Sequence, residues 1–242
     1  MRSVRFRQQR RSRLCFFHLP RTGGTSLIKD ILSPNFRRWR SCHVNYSADM
    51  NALAGADDPL RWSQLRRQSI RLLAGHMPAD LATHFPGTTE YVTLIRDPVA
   101  RTVSEYHYLR QHQSNPAFLA VSRLSLLDFV ATDYAFSRNC YARWLSNAAF
   151  GKAFPTEEGM LSAAMDNLRQ FSFIGITERF EIAIRRLCEK YDLATHAGSE
   201  QNRNRSTPLG IRISMQERSF IQQQNSLDMI IYEHCIQRLR SL

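Results

Sequence analysis

The sequence predicts an α/β fold of three layers, α/β/α, around a central parallel sheet. Three observations carry that expectation. Short, mostly apolar runs recur at Leu14 to Leu19, Ile70 to Ala74, Glu90 to Arg96 and Phe171 to Ile176, as expected for strands buried on both faces. Two of these runs pass through a turn into an amphipathic helical pattern. The chain has 242 residues, which suits one sizeable α/β unit. The expected division is a basic tail over 1–13 and a single domain over 14–242.

Leu14 to Leu19 reads as a central strand, ended by Pro20. Gly23 and Gly24 let the backbone bend tightly and present its amides. A helix begins at Thr25, with Leu27, Ile28, Ile31 and Leu32 as its apolar face and Pro34 as its stop. A glycine turn feeding a helix N-terminus attracts an anion, because free N–H groups and the helix dipole both favour negative charge. Thr22, Thr25 and Ser26 add hydroxyls, and Arg21 adds charge. The loop lacks the GxxxxGK[ST] pattern of a nucleotide triphosphate loop and the GxGxxG of a dinucleotide site.

The strand Glu90 to Arg96 runs into Asp97-Pro98 and then a helix. Proline suits the first helical turn, Asp97 suits the cap, and Val99, Val103 and Tyr106 form one stripe. Arg96 is placed at the carboxyl end of its strand, the edge where open α/β sheets bind ligands. Ser104 follows two turns down the helix. Arg96 and Ser104 together can clamp a second phosphate. Arg101 reads as surface or sheet-edge structure. Between the two units, Ile70 to Ala74 is a strand and Gly75-His76-Met77-Pro78 its exit. His76 at that edge can take a proton from a hydroxyl near neutral pH. His18 reads as buried structure.

Of 33 basic residues, 30 are arginine, and the net charge is +12. Arginine suits bidentate contact with phosphate, sulfate or carboxylate. No zinc finger or RNA-binding signature is present, so no nucleic-acid partner is expected. The five cysteines are widely spaced without a CxxC pair, which indicates neither a disulfide framework nor zinc and fits a reducing compartment. No apolar stretch is long enough to span a membrane. The aromatics Tyr134, Phe136, Tyr141 and Trp144 read as core packing, with a sugar-binding surface as the alternative. Residues 39–68 read as an irregular excursion, and Met215 to Leu239 as a closing helix.

PRTGGTS after FFHL resembles the HxPKTGGTS motif of carbohydrate sulfotransferases, especially the uronyl and heparan-sulfate 2-O type and bacterial family 2 relatives. LIRDPVARTVSEYHYLR resembles their RDPxxRxxSxYxxLR motif, GHMP sits where that family carries a catalytic histidine, and FSFIGITERFE resembles a further family segment. The resemblance implies a P-loop NTPase-like sulfotransferase fold. It also implies transfer of a sulfuryl group from 3'-phosphoadenylyl sulfate (PAPS) to a hydroxyl, releasing adenosine 3',5'-bisphosphate (PAP). Arg21, Thr22, Gly23, Gly24, Thr25 and Ser26 would hold the 5'-phosphosulfate, with Arg21 standing where most members carry lysine. Arg96 and Ser104 would hold the 3'-phosphate, and Arg203 and Arg205 would cover the nucleotide. His76 would be the base, Arg21 would stabilise the departing phosphate, and no metal would be required. The resemblance implies a carbohydrate acceptor, the abundant arginine suits an anionic one, and a cytoplasmic bacterial enzyme is expected. Two rivals are a nucleotide kinase or NTPase with an atypical loop, and a catalytically silent interaction protein of the same fold.

Overall fold

A computed structural model describes residues 12–45, 59–132, 134, 136–195 and 212–240. Five strands form one sheet: β1 (Arg13–Phe17), β2 (Ser41–Asn45), β3 (Leu72–His76), β4 (Thr89–Ile95) and β5 (Phe171–Ile176). Their order is β2-β3-β1-β4-β5, and every pairing is parallel. The α/β expectation therefore holds. One strand, β2, falls in the stretch read as an irregular excursion. Ser41–Asn45 lies at the edge of the sheet and alternates polar with apolar residues, with Cys42 and Val44 buried. A half-exposed edge strand gives no continuous apolar run to find.

The register places a large apolar load on both faces. Cys15 and Phe17 turn to one side, with Leu73, Ile95, Trp144, Leu168 and Ile231. Leu14 and Phe16 turn to the other, with Leu27, Ile31, Val92, Leu94 and Leu187. This alternation is the two-residue period of a pleated strand feeding two helical layers. Among the described residues, ten helices, short 3-10 turns aside, surround the sheet. The first, α1, spans 24–35 and contains a π-helical stretch, Leu27–Leu32, between short α-helical ends. Pro34 does not stop it but sits in its final turn, Ser33–Asn35, and the chain becomes extended at Phe36. The others are α2 (Gln64–Ser69), α3 (Pro98–Gln111), α4 (Phe118–Val121), α5 (Leu126–Ala131), α6 (Cys140–Leu145), α7 (Glu157–Arg169), α8 (Phe180–Tyr191), α9 (Met215–Gln224) and α10 (Ser226–Arg240).

The closing helix is thus two helices. Asn225 breaks it, because its side chain is committed elsewhere: Asn225 Oδ1 accepts the Asn139 N–H at 3.0 Å, and Nδ2 donates to the Ile221 carbonyl at 2.9 Å. Beside it, Asp228 is fully buried and accepts the amides of Tyr141 and Ala142, each at 3.0 Å. Asp228 therefore does the capping work for α6, whose own cap residue Asn139 is left-handed and makes no side-chain cap bond. Asp228→Ala is expected to lower stability by about 3 kcal/mol, since it strands buried donors. The shift of the urea midpoint measures it. Tyr141 and Trp144 are buried in the same cluster, which agrees with the core-packing reading rather than a sugar surface.

Candidate functional site

The strand order reverses direction on either side of β1, and its carboxyl end is where the loop opens. In open parallel sheets that crevice is the usual ligand position. Four segments converge on this edge: the turn after β1, the end of β3 with His76, Arg96 just past β4, and Thr177 just past β5. Thr177 ties the edge together. Its hydroxyl lies 2.7 Å from the Thr22 carbonyl and 3.1 Å from the Ile95 carbonyl. Its position after an apolar strand is the only local signal it gives.

The turn owes its shape to three residues. Arg21 and Gly23 have positive φ values of 64 and 84, a conformation that suits glycine and strains arginine. Gly24 has no room for a side chain: a Cβ there would lie 2.1 Å from His18 Cδ2. The first helical hydrogen bond runs from Leu27 N–H to the Gly23 carbonyl at 3.3 Å, so the amides of residues 24–26 precede it and can donate outward. Thr25 is exposed and Ser26 half-buried at this opening. Thr22 is different. It is fully buried, and its hydroxyl donates to the Leu19 carbonyl at 2.8 Å. The expectation of a ligand-facing Thr22 hydroxyl is corrected accordingly, because that group closes the turn.

The two basic motifs meet. Arg21 Nε donates to Ser104 Oγ at 3.2 Å and lies 3.9 Å from Glu105 Oε2. The Arg21 guanidinium sits over the Tyr108 ring, 4.3 Å from its centroid. Arg96 Nη1 donates to the Arg21 carbonyl at 3.4 Å. Arg96 is itself fixed through its backbone: its amide donates to Tyr141 Oη at 3.1 Å, and Tyr141 Oη donates to its carbonyl at 2.7 Å. Asp97 caps α3 by accepting the Ala100 amide at 2.8 Å, and its own amide donates to Glu178 Oε1 at 2.9 Å. Burial lowers the pKa of both Arg21 and Arg96, opposed chiefly by Glu105 for the first and Glu178 for the second. Both remain cations at any physiological pH.

Arg101 does not lie on the surface. It is wholly buried, and Nη2 donates to Thr102 Oγ1 and to the Phe136 carbonyl, each at 2.7 Å. Glu105, 5% exposed, lies near both Arg101 and Arg21. A buried carboxylate in a helix next to Ser104 was not singled out from sequence. The sign was available, since an acid two residues from Val103's stripe has either solvent or a cation to face.

His76 is the last residue of β3 rather than part of its exit. Its Nδ1 lies 2.7 Å from the His18 carbonyl. A carbonyl only accepts, so Nδ1 carries the proton and Nε2 keeps its lone pair. The imidazole stacks on the His18 ring with centroids 4.2 Å apart, and Trp144 meets it edge-on at 5.3 Å. Burial pushes the His76 pKa down to about 4, partly opposed by the bond to His18, and holds His18 well below the ordinary imidazole value. His18 is buried as expected, but it also orients His76. Arg203 and Arg205 lie outside the described residues. A cavity lined by Arg37, Arg71, Glu90 and Tyr191 opens at the opposite, amino edge and is separate from this site.

Fold and site together define a parallel α/β protein with a glycine turn, two arginines and a neutral histidine gathered at one sheet edge. No family model matches the chain. Its sequence relatives are sulfotransferases. It is 23% identical to heparan-sulfate 6-O-sulfotransferase 1 of Cricetulus griseus over 96% of this chain and 68% of that protein. It is 30% identical to a protein-tyrosine sulfotransferase of Arabidopsis thaliana, over 39% of this chain and 17% of that one. Among solved structures, the mouse sulfotransferase SULT7A1 complexed with PAP overlays at a TM-score of 0.41, with 14% identity, over 81% of this chain and 64% of that chain. The relatives thus agree with the sulfotransferase resemblance of the motifs but carry 6-O names, where the motifs had suggested the 2-O and bacterial family 2 types. Among the described residues, no helix is long and apolar enough to cross a membrane.

Proposed function

We propose that the protein transfers a sulfuryl group from PAPS to a hydroxyl of a carbohydrate acceptor. The observation that carries this reading is the gathering, at one carboxyl edge, of the loop amides, Arg21 bonded to Ser104, Arg96 bonded to the Arg21 carbonyl, and an imidazole whose Nε2 is open to accept a proton. The residues suit a donor bearing two separated phosphate groups. The loop amides of 24–26 and Arg21 would take the phosphosulfate, while Arg96 and Ser104 would take the second phosphate. Gly24 matters here because the His18 ring fills the space a side chain would need.

In the proposed reaction the acceptor oxygen attacks sulfur in line. The new O–S bond forms as the bond from sulfur to the phosphate oxygen breaks. The hydroxyl proton moves to His76 Nε2, and the electron pair leaves with PAP. Arg21 and the loop amides stabilise the charge developing on the leaving oxygen. The low pKa keeps His76 in its neutral, proton-accepting form at neutral pH; a base this weak takes the proton only as the new O–S bond forms and the hydroxyl becomes strongly acidic. The relatives' names include heparan-sulfate and protein-tyrosine acceptors. The carbohydrate assignment rests on the former, whose likeness spans 96% of this chain. A cytoplasmic setting is part of the same proposal.

Calorimetric titration with PAP, with ATP alongside, tests the donor. The expected result is micromolar or tighter PAP binding without added metal, and much weaker ATP binding. A preference for magnesium-ATP overturns the proposal in favour of an NTPase or kinase. Normal PAP binding without transfer to any of a broad acceptor panel supports the silent interaction protein instead. Arg96→Ala is expected to weaken PAP about tenfold or more and adenosine 5'-monophosphate far less. Equal losses for the two ligands remove Arg96 from the second-phosphate role.

A further inference from the structure

Arg21 is restrained from two directions. Its backbone is left-handed, with φ 64, and its carbonyl accepts from Arg96 Nη1. Its side chain crosses to α3 and meets residues that share one face of that helix, Ser104, Glu105 and Tyr108. Among the described residues, Nε alone of the guanidinium nitrogens finds an acceptor, and Nη1 and Nη2 take none. Arg21's side chain is 34% exposed, while that of Glu105 is 6% exposed. The terminal nitrogens therefore remain for a ligand, while the inner edge and one face of the guanidinium are held by protein. Tyr108 is itself supported, since the His112 ring lies 4.0 Å from its centroid.

We propose that Tyr108 and Glu105 are positioning residues that hold the Arg21 guanidinium at the loop opening, Tyr108 by stacking beneath it and Glu105 by charge at its inner edge. A guanidinium is planar: it can lie on a ring and still present two N–H-bearing nitrogens outward. An ammonium carries its three donors on one nitrogen and has no flat face to lay on the ring. The presence of arginine at position 21 and of a ring at position 108 are then parts of one arrangement. The nature of the ligand rests on the sulfuryl-transfer reading; the arrangement itself does not.

The test uses the whole chain and two readouts, the arginine Nε–Hε resonances in a ¹⁵N-labelled sample and PAP affinity. The Arg21 signal is assigned by its loss in Arg21→Lys. It is expected to be ring-shifted in the wild type and in Tyr108→Phe, and to move to the position of free arginine in Tyr108→Leu. In Glu105→Gln the signal is expected to stay ring-shifted but to exchange faster. PAP affinity is expected to fall about tenfold in Tyr108→Leu, Glu105→Gln and Arg21→Lys, and to be restored by Tyr108→Phe. Melting temperatures identify a variant that fails to fold, and the half-buried Tyr108 keeps the test open if the buried Glu105 change does so. An Arg21 resonance identical in wild type and Tyr108→Leu overturns the role of Tyr108, and unchanged exchange in Glu105→Gln overturns that of Glu105. Absence of PAP binding in the wild type defeats the transfer reading instead, while the resonance still decides the arrangement.

Discussion

His76→Ala is expected to lower turnover by roughly 10²-fold or more while leaving PAP affinity nearly intact. The separation follows from geometry. His76 stands at the end of β3, bonded to the His18 carbonyl, and makes no contact with Arg21, Arg96 or Ser104 among the interactions of the described residues. Its removal takes away the proton acceptor and spares the anion-binding groups. The pH profile gives a second check. An unburied imidazole titrates near 6.5, whereas His76 is pushed down to about 4. The acid limb of kcat/KM should therefore fall near 4, with a flat profile from about 6 to 8. A limb near 6.5 would show that the base is another group. Unchanged turnover in His76→Ala would remove the residue from the mechanism outright.

The same depression has a consequence for stability. Between about 4 and 6.5 the unfolded chain binds a proton at this position and the folded chain does not. The contribution of His76 is therefore fully present above pH 6.5 and lost as pH falls through 4. His18 acts with the same sign.

Gly75→Ala is expected to destabilise the protein by about 3 kcal/mol or more, a fall in melting temperature of roughly 6–12 °C for a chain of this size. Gly75 has φ 133, and a Cβ there would lie 1.8 Å from the Val44 carbonyl oxygen. That neighbour is backbone of the adjacent strand, so no rotamer change relieves the contact. The substitution must push β2 from β3, which are paired at Val44 and Gly75. Because Gly75 also accepts the His18 amide at 3.0 Å and precedes His76, the loss should reach the site. A melting temperature within 2 °C of wild type would contradict the argument.

What could be read from the sequence was what local chemistry decides. The buried strands β1, β3, β4 and β5 were legible within a few residues, because parallel strands need apolar residues on both faces. The glycine turn and the Asp97-Pro98 helix start were legible because caps and tight turns demand specific residue types at adjacent positions. The edge strand β2, half exposed, was not. The break at Asn225 was not, because the bond that causes it goes to Asn139, 86 residues away.

The sequence by itself determined the α/β class, the turn from Arg21 to Ser26, the placement of Arg96 at a strand end and the candidacy of His76. Only the tertiary structure decided how these parts are used. It buried Arg101, committed the Thr22 hydroxyl to the turn, fixed His76 as the tautomer with Nε2 unprotonated, and set Arg21 on Ser104, Glu105 and Tyr108. The physical reason is range. Turns, caps and strand hydrophobicity depend on neighbours a few positions away, whereas burial, tautomer and the partner of a charge depend on groups that the parallel sheet brings together from distant parts of the chain.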